Sequence, residues 1–234
     1  MRDKLLILTG GAGAIGEQTI LLANKAGYKT LSLDLVYSKY ADKSLVVDVS
    51  KEDEMESAFK EIDHIDALVC LASTNIRNDI ENLSWGSWQH LMAVNVRGAM
   101  LSLKYASPCL NMGSSIVLKS SLSAHTGSNG HLAYQTSKGA VIGLMRATSG
   151  EFVERGIRVN AVCSGSVNTP LNYDNPGKTY KSELSEINVN ETHYFARMAK
   201  PKEIAEGIMF LISSDSSFMT GTELIIDGGF LRNR

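Results

Sequence analysis

The chain is poor in cysteine and proline and carries no excess charge. Cys70, Cys109 and Cys163 are its 3 cysteines in 234 residues, and 4 prolines accompany them. The cysteine number is odd and the spacing is not that of a zinc motif. Neither a disulfide framework nor a structural metal centre is expected, and a reduced, cytoplasmic setting fits best. His64, His90, His125, His131 and His193 show no H-E-x-x-H or H-x-H arrangement, so the sequence predicts no metal. Lysine plus arginine number 23 against 25 aspartate plus glutamate, for a net charge of −2. That balance, without a long run of one sign, argues against a nucleic-acid partner. No apolar stretch approaches the roughly 18–20 residues that cross a bilayer, so no membrane partner is expected. The apolar run Leu5–Leu8 is also shorter than the roughly 7–15 residues of a secretory signal core, and reads instead as a buried strand.

What the chain does have is alternation of short apolar runs with helix-period segments from end to end. Strands are predicted at Lys4–Leu8, Thr30–Asp34, Ser44–Val47, Ala67–Leu71, Ser115–Leu118, Arg158–Val162 and Glu223–Ile226. Those from Leu5 to Val162 lack polar/apolar alternation, as expected when both faces of a sheet are covered. Helices are predicted at Ile15–Ala26, Lys51–Ile62, Ser87–Ala106, Leu132–Glu154 and Pro201–Ser213. Repeated strand–helix–strand units imply a single α/β domain over residues 1–234: a doubly wound, seven-stranded parallel sheet of the Rossmann type with helices on both faces. Residues 171–200 are polar and weakly periodic, with Pro176-Gly177 inside, and read as a substrate-binding flap.

Directly after the first strand, Thr9-Gly10-Gly11-Ala12-Gly13-Ala14-Ile15-Gly16 opens a helix. Glycines in a strand–turn–helix context let backbone N–H groups approach a pyrophosphate at the positive helix end, which points to a dinucleotide. Asp34 ends the second strand 18 residues after Gly16. A carboxylate there suits the ribose hydroxyls of NAD and repels the 2′-phosphate of NADP, and no Arg or Lys lies among residues 10–16 or immediately after Asp34. Leu35 follows it. Asp48, beside Val49, has two readings: a wall of the adenine pocket, or an N-cap for the helix near Lys51.

Tyr134 and Lys138 stand at i and i+4, where helical side chains share one face. Ser121 lies 13 residues before Tyr134, and Asn95 sits in Val94-Asn95-Val96-Arg97-Gly98. With the glycine turn, Asp34, Arg158-Val159-Asn160 and the closing Ile226-Asp227-Gly228-Gly229, these positions resemble the short-chain dehydrogenase/reductase family over essentially the whole chain. The resemblance implies interconversion of an alcohol and a carbonyl with NAD(H). Tyr134 is then the general acid/base, Lys138 lowers its pKa and binds the nicotinamide ribose, Ser121 hydrogen-bonds the substrate oxygen, and Asn95 holds a water of the proton relay. Gly10, Gly11, Gly13, Ala14, Ile15 and Gly16 would hold the pyrophosphate, with Asp34, Leu35, Asp48, Val49, Ala72 and Ser73 lining the adenosine side. Val167 and Thr169 fall where the family contacts the nicotinamide carboxamide. A homodimer or homotetramer is also implied.

Three departures stand out. Ala14 replaces a family glycine, Cys70-Leu71-Ala72-Ser73 replaces Asn-Asn-Ala-Gly, and Ser164-Gly165 replaces Pro-Gly. Polar residues across the 171–200 segment, among them Asn172, Tyr173, Asp174 and Tyr180, predict a small polar substrate such as a polyol, cyclitol, sugar derivative or hydroxy acid. Arg77 is a candidate grip for a carboxylate and His125 a candidate pocket residue, each with a plain surface position as the alternative. Two rival functions are an NADPH-dependent 3-oxoacyl-carrier-protein reductase and a non-catalytic NAD sensor.

Overall fold

The computed structural model describes residues 3–169 and 193–232. Residues 171–192 of the predicted flap, with Asn172, Tyr173, Asp174 and Tyr180, lie outside them. The strands are β1 (Lys4–Thr9), β2 (Tyr28–Asp34), β3 (Lys43–Val46), β4 (Ile65–Cys70), β5 (Leu110–Ser121), β6 (Arg158–Ser164) and β7 (Glu223–Ile226). They form one seven-stranded sheet in the order β3-β2-β1-β4-β5-β6-β7, every pairing parallel. The helices are α1 (Ala14–Lys25), α2 (Glu52–Phe59), α3 (Trp85–Met92), α4 (Gly98–Ala106), α5 (Leu132–Phe152) and α6 (Pro201–Ile212).

Missing polar/apolar alternation in the strands has a direct cause. Leu6, Leu8, Ala67, Val69, Val117 and Val162 enter a core under α1 and α6, built with Ile20, Ala23, Ile204, Ile208 and Leu211. The intervening Ile7, Leu68, Ile116, Leu118 and Ala161 enter a second core, under α2, α4 and α5, with Met55, Phe59, Leu101, Val141 and Met145. Each strand must therefore be apolar on both faces. The α6 stripe is fully buried at Ile204, Ile208 and Leu211, worth roughly 1.5–3 kcal/mol for each side chain.

Two predicted boundaries move in ways that matter for the site. The strands β5 and β6 run on through polar residues, with Ser120 opposite Cys163 and Ser121 opposite Ser164 in continuous register. Their serines are polar, yet the backbone hydrogen bonds are made by the neighbouring strand. The predicted helix Ser87–Ala106 is interrupted at Ala93–Arg97 by a π-helical segment between α3 and α4. Such insertions of one wide turn cluster at functional sites, and Asn95 is at the middle of this one.

Candidate active site

The chain order reverses between β1 and β4, and the connections that follow them pack on opposite faces of the sheet. A cleft of about 770 Å³ opens there, along the carboxyl ends of the strands. Ligands of open α/β sheets bind at this switch point.

One side of the cleft is the glycine turn. Gly10 has φ +74°, and a Cβ there would lie 2.6 Å from the Ala72 nitrogen. A Cβ on Gly16 would run into the Gly10 carbonyl oxygen, so the turn from β1 into α1 closes only with these two residues bare. Gly13 is the N-cap of α1 and offers no side-chain acceptor, which leaves first-turn N–H groups for a ligand. Gly10, Gly13, Ala14, Ile15 and Gly16 line the cleft, whereas Gly11 does not. Gly11 instead packs its bare Cα on Ser32 of β2. A dinucleotide pyrophosphate fits this backbone cradle, because the close approach of Gly10 to Ala72 leaves no side chain in its way.

Beside the cradle, Asp34, Leu35, Asp48, Val49, Ala72 and Ser73 all line the cleft. Asp34 Oδ2 accepts a hydrogen bond of 2.9 Å from the Ala12 N–H. The end of β2 is thereby fastened to the glycine turn. Asp48 lies on the cleft and is not the N-cap of α2. Its Oδ1 takes hydrogen bonds from the Ser50 N–H (2.9 Å) and hydroxyl (2.7 Å). Burial works against its charge, but the Ser50 bonds win and hold the carboxyl below its usual range. The N-cap of α2 is Lys51, without a side-chain bond.

At the other side, Ser121, Tyr134 and Lys138 converge on the cleft from β5 and α5. Ser120 Oγ instead donates to the Lys138 carbonyl at 2.9 Å, which ties α5 to β5 and leaves Ser121 as the cleft hydroxyl. The Lys138 ammonium lies 5.4 Å from the centroid of the Tyr134 ring and donates to the Lys119 carbonyl at 3.1 Å. Burial pushes the Tyr134 phenol up to about 12, opposed by its hydrogen bond with Ser121. This differs from the expectation that Lys138 lowers it. Burial and the neighbouring Lys119 push Lys138 itself well below the ordinary lysine range.

Asn95 is buried behind the cleft wall rather than in it. Its Nδ2 donates to the Thr74 carbonyl (3.0 Å) and Ser137 Oγ (2.9 Å), while Oδ1 accepts from the Thr74 N–H (2.8 Å) and Ser73 Oγ (3.2 Å). The side chain joins the loop after β4 to α5. That loop is the Cys70–Ser73 departure. Ser73 supplies one of the hydroxyls that meet Asn95.

Arg77, Val167 and Thr169 line the cleft; His125 does not. The short turn after Ser121 aims the His125 ring at Glu223, with Nε2 2.6 Å from Oε2, and Glu223 is held on its other side by Arg146 at 3.0 Å. His125, Cys163 and Glu223 place one ligand atom each within 4.8 Å of one another. Arg146 beside them makes a cation an unwelcome addition. Three cleft residues went unread in the sequence. His131 precedes α5, and burial together with the Arg77 guanidinium pushes its imidazole down. Asn75 has a buried Oδ1 without a partner among the described residues. Lys119 carries the one sequence signal that could have been seen, a lysine interrupting the apolar run Ile116-Val117-Leu118.

Comparison with known proteins agrees with this geometry. The family profile described as Enoyl-(Acyl carrier protein) reductase matches residues 17–231. The chain is 31% identical to Dehydrogenase/reductase SDR family member 6 of Danio rerio, covering 97% of each, and 32% identical to glucose 1-dehydrogenase of Gluconobacter oxydans, covering 97% of this chain and 91% of that one. Ligand-free aldohexose dehydrogenase of Thermoplasma acidophilum superposes with a TM-score of 0.90 at 31% identity, over 100% of this chain and 96% of that chain. A glycine cradle at the switch point, a hydroxyl–phenol–amine group at the far side of the same cleft and these likenesses place the chain in the short-chain dehydrogenase/reductase family, whose members are oxidoreductases that use NAD(P).

Proposed function

We propose that the protein is an NAD(H)-dependent oxidoreductase that interconverts a secondary alcohol and a ketone on a small polar substrate. The observation that carries it is one cleft with Asp34 at its nucleotide side and Ser121, Tyr134 and Lys138 at its other side. The cofactor, when bound, supplies or takes the hydride. The protein then has to position the carbonyl and exchange one proton. Ser121 and Tyr134 place two hydroxyls on the same oxygen. Tyr134, protonated at neutral pH, donates to the developing alkoxide in reduction and accepts from the alcohol in oxidation. Lys138 orients the nicotinamide ribose, and Asn95 acts as a positioning residue by holding the loop after β4 against α5. Arg77 and His131 give the catalytic side a polar wall, which supports a hydroxylated or acidic small molecule.

The NAD assignment rests on Asp34. Leu35 and Val36, next along the chain and lining the cleft, offer no cation to a 2′-phosphate. Separate fluorescence titrations with NADH and NADPH test it. Tighter NADH binding is expected, and an NADPH preference would overturn the assignment and favour the carrier-protein reductase reading. We also propose a homodimer or homotetramer as the working form.

A further inference from the structure

One group in the cleft wall has no part in the mechanism above. Lys119 stands in β5 two residues before Ser121, between neighbours that are fully buried. Its Cα is in register with Val162. Its ammonium nevertheless donates to Ser164 Oγ at 2.8 Å and to the Ser120 carbonyl, so the side chain climbs toward the carboxyl ends of β5 and β6 and ends in the cleft wall. Among the described residues no carboxylate forms an ion pair with Lys119 or Lys138. Glu223 is taken by His125 and Arg146, and Asp34 is three strand spacings away, roughly 14 Å.

Lys119 and Ser164 explain each other. Ser164 stands where the family has proline, and a proline ring offers no acceptor to an ammonium. The serine hydroxyl does. The pair spans the wall between the reactive hydroxyls, Ser121 and Tyr134, and the 165–169 segment that holds Val167 and Thr169. Any nicotinamide that exchanges hydride with a carbon held by Ser121 and Tyr134 must lie along that stretch. The oxidised ring is a cation and the reduced ring is neutral. From this placement we propose that Lys119, fixed by Ser164, selects the redox state of the cofactor by disfavouring the oxidised, cationic ring relative to the reduced one. At an effective dielectric near 20, two unit charges about 10 Å apart alter such a preference by roughly tenfold. The inference rests on the oxidoreductase reading only in requiring that a nicotinamide cofactor binds.

The test is binding without turnover. NAD+ and NADH are titrated separately, by calorimetry and fluorescence, against the wild type and Lys119→Met; NADP+ and NADPH replace them if that pair binds more tightly. The variant should bind the oxidised cofactor about tenfold more tightly and the reduced cofactor within about threefold of wild type. Lys119→Gln, which keeps a donor for Ser164, should behave the same way, and Lys119→Arg should keep the wild-type ratio. An unchanged ratio in the Met and Gln variants with binding intact overturns the inference alone. Absence of binding by any nicotinamide nucleotide overturns the oxidoreductase reading with it.

A second arm needs no substitution. Burial pushes the Lys119 amine down to about 8, so its charge is lost as pH rises through that value. The titratable groups that interact with it are Lys138 from α5 and Cys163 from β6, with Tyr134 beside Lys138 and Glu223 of β7 beside Cys163. Tyr134 and Cys163 are pushed up to about 12 by burial and keep their protons across this range, while burial and Lys119 itself push Lys138 down, so the Met variant is what separates the Lys119 titration from that of Lys138. The wild-type preference for the reduced cofactor should shrink between about pH 7 and 9, while Lys119→Met stays flat. A slope retained in the Met variant would assign the effect to another group.

Discussion

Tyr134 concentrates the chemistry proposed for this site, and its surroundings set the direction in which it works best. A phenol held near 12 is protonated at neutral pH, so it is ready to donate to a carbonyl oxygen. Oxidation asks the same group to accept a proton, and becomes easier as pH rises toward its pKa. Alcohol oxidation should therefore climb with pH across the neutral and alkaline range. Tyr134→Phe removes only the hydroxyl. It should bind NADH like the wild type and lose about 10²–10⁴-fold in turnover. Turnover at the wild-type rate in that variant would transfer the proton step to another residue. Ser121 and Lys138 could be picked from the sequence because their spacing to Tyr134 is local. Lys119 could not be given a role, because its ammonium reaches Ser164 across a strand pairing that only the folded sheet creates. His125 had two readings, a pocket residue or a surface position, and the turn after β5 points it to Glu223 on β7, outside the cleft.

Elements differ in how clearly they announce themselves. The start of α6 was readable as Pro201 before an apolar stripe, yet its fastening involves a residue the sequence did not single out. Glu203 accepts from the Lys200 N–H at 2.7 Å and from Arg197 through both terminal nitrogens, at 2.8 and 2.7 Å. The Arg197 guanidinium and the Lys200 N–H hold this carboxyl down to about 2. A folded-state pKa below the unfolded one stabilises above the unfolded value, and the contribution disappears as pH falls from about 4.5 to about 2. The pair is largely solvent-exposed, so the effect is small. Glu203→Gln should cost on the order of 1 kcal/mol at pH 7, read by thermal unfolding, with the gap to wild type closing as pH falls to about 2. A gap that stays constant with pH would show that the carboxylate's charge contributes nothing. The π-helical segment at Ala93–Arg97 lay beyond sequence reasoning for a different reason. Its residue types do not single out a wide turn, and the Asn95 contacts with Thr74 and Ser137 that accompany it are made only in the folded chain.

At the scale of the whole molecule, the alternation of strands and helices was enough to predict the seven-stranded parallel sheet, while the place of its switch point came only from the strand order. The assembly proposed for it is a separate matter. On α5, Ala133, Val141 and Met145 are buried in the chain's own core. The outer face of the same helix is the contact proposed for a second copy. Gly139 and Gly143 stand one turn apart, and a Cβ added at either would meet nothing. A glycine inside a helix costs roughly 1 kcal/mol relative to alanine, and no described residue would meet a side chain at these two positions to account for it. Close approach of a backbone from another copy would do so. Sedimentation at micromolar concentration should give two or four times 25.4 kDa. Gly143→Ala should raise the stability of an isolated helix, whereas Gly143→Leu should separate the copies if α5 lies at their contact. A monomeric wild type would remove the assembly proposal, and an assembled Gly143→Leu variant would move the contact off this face of α5.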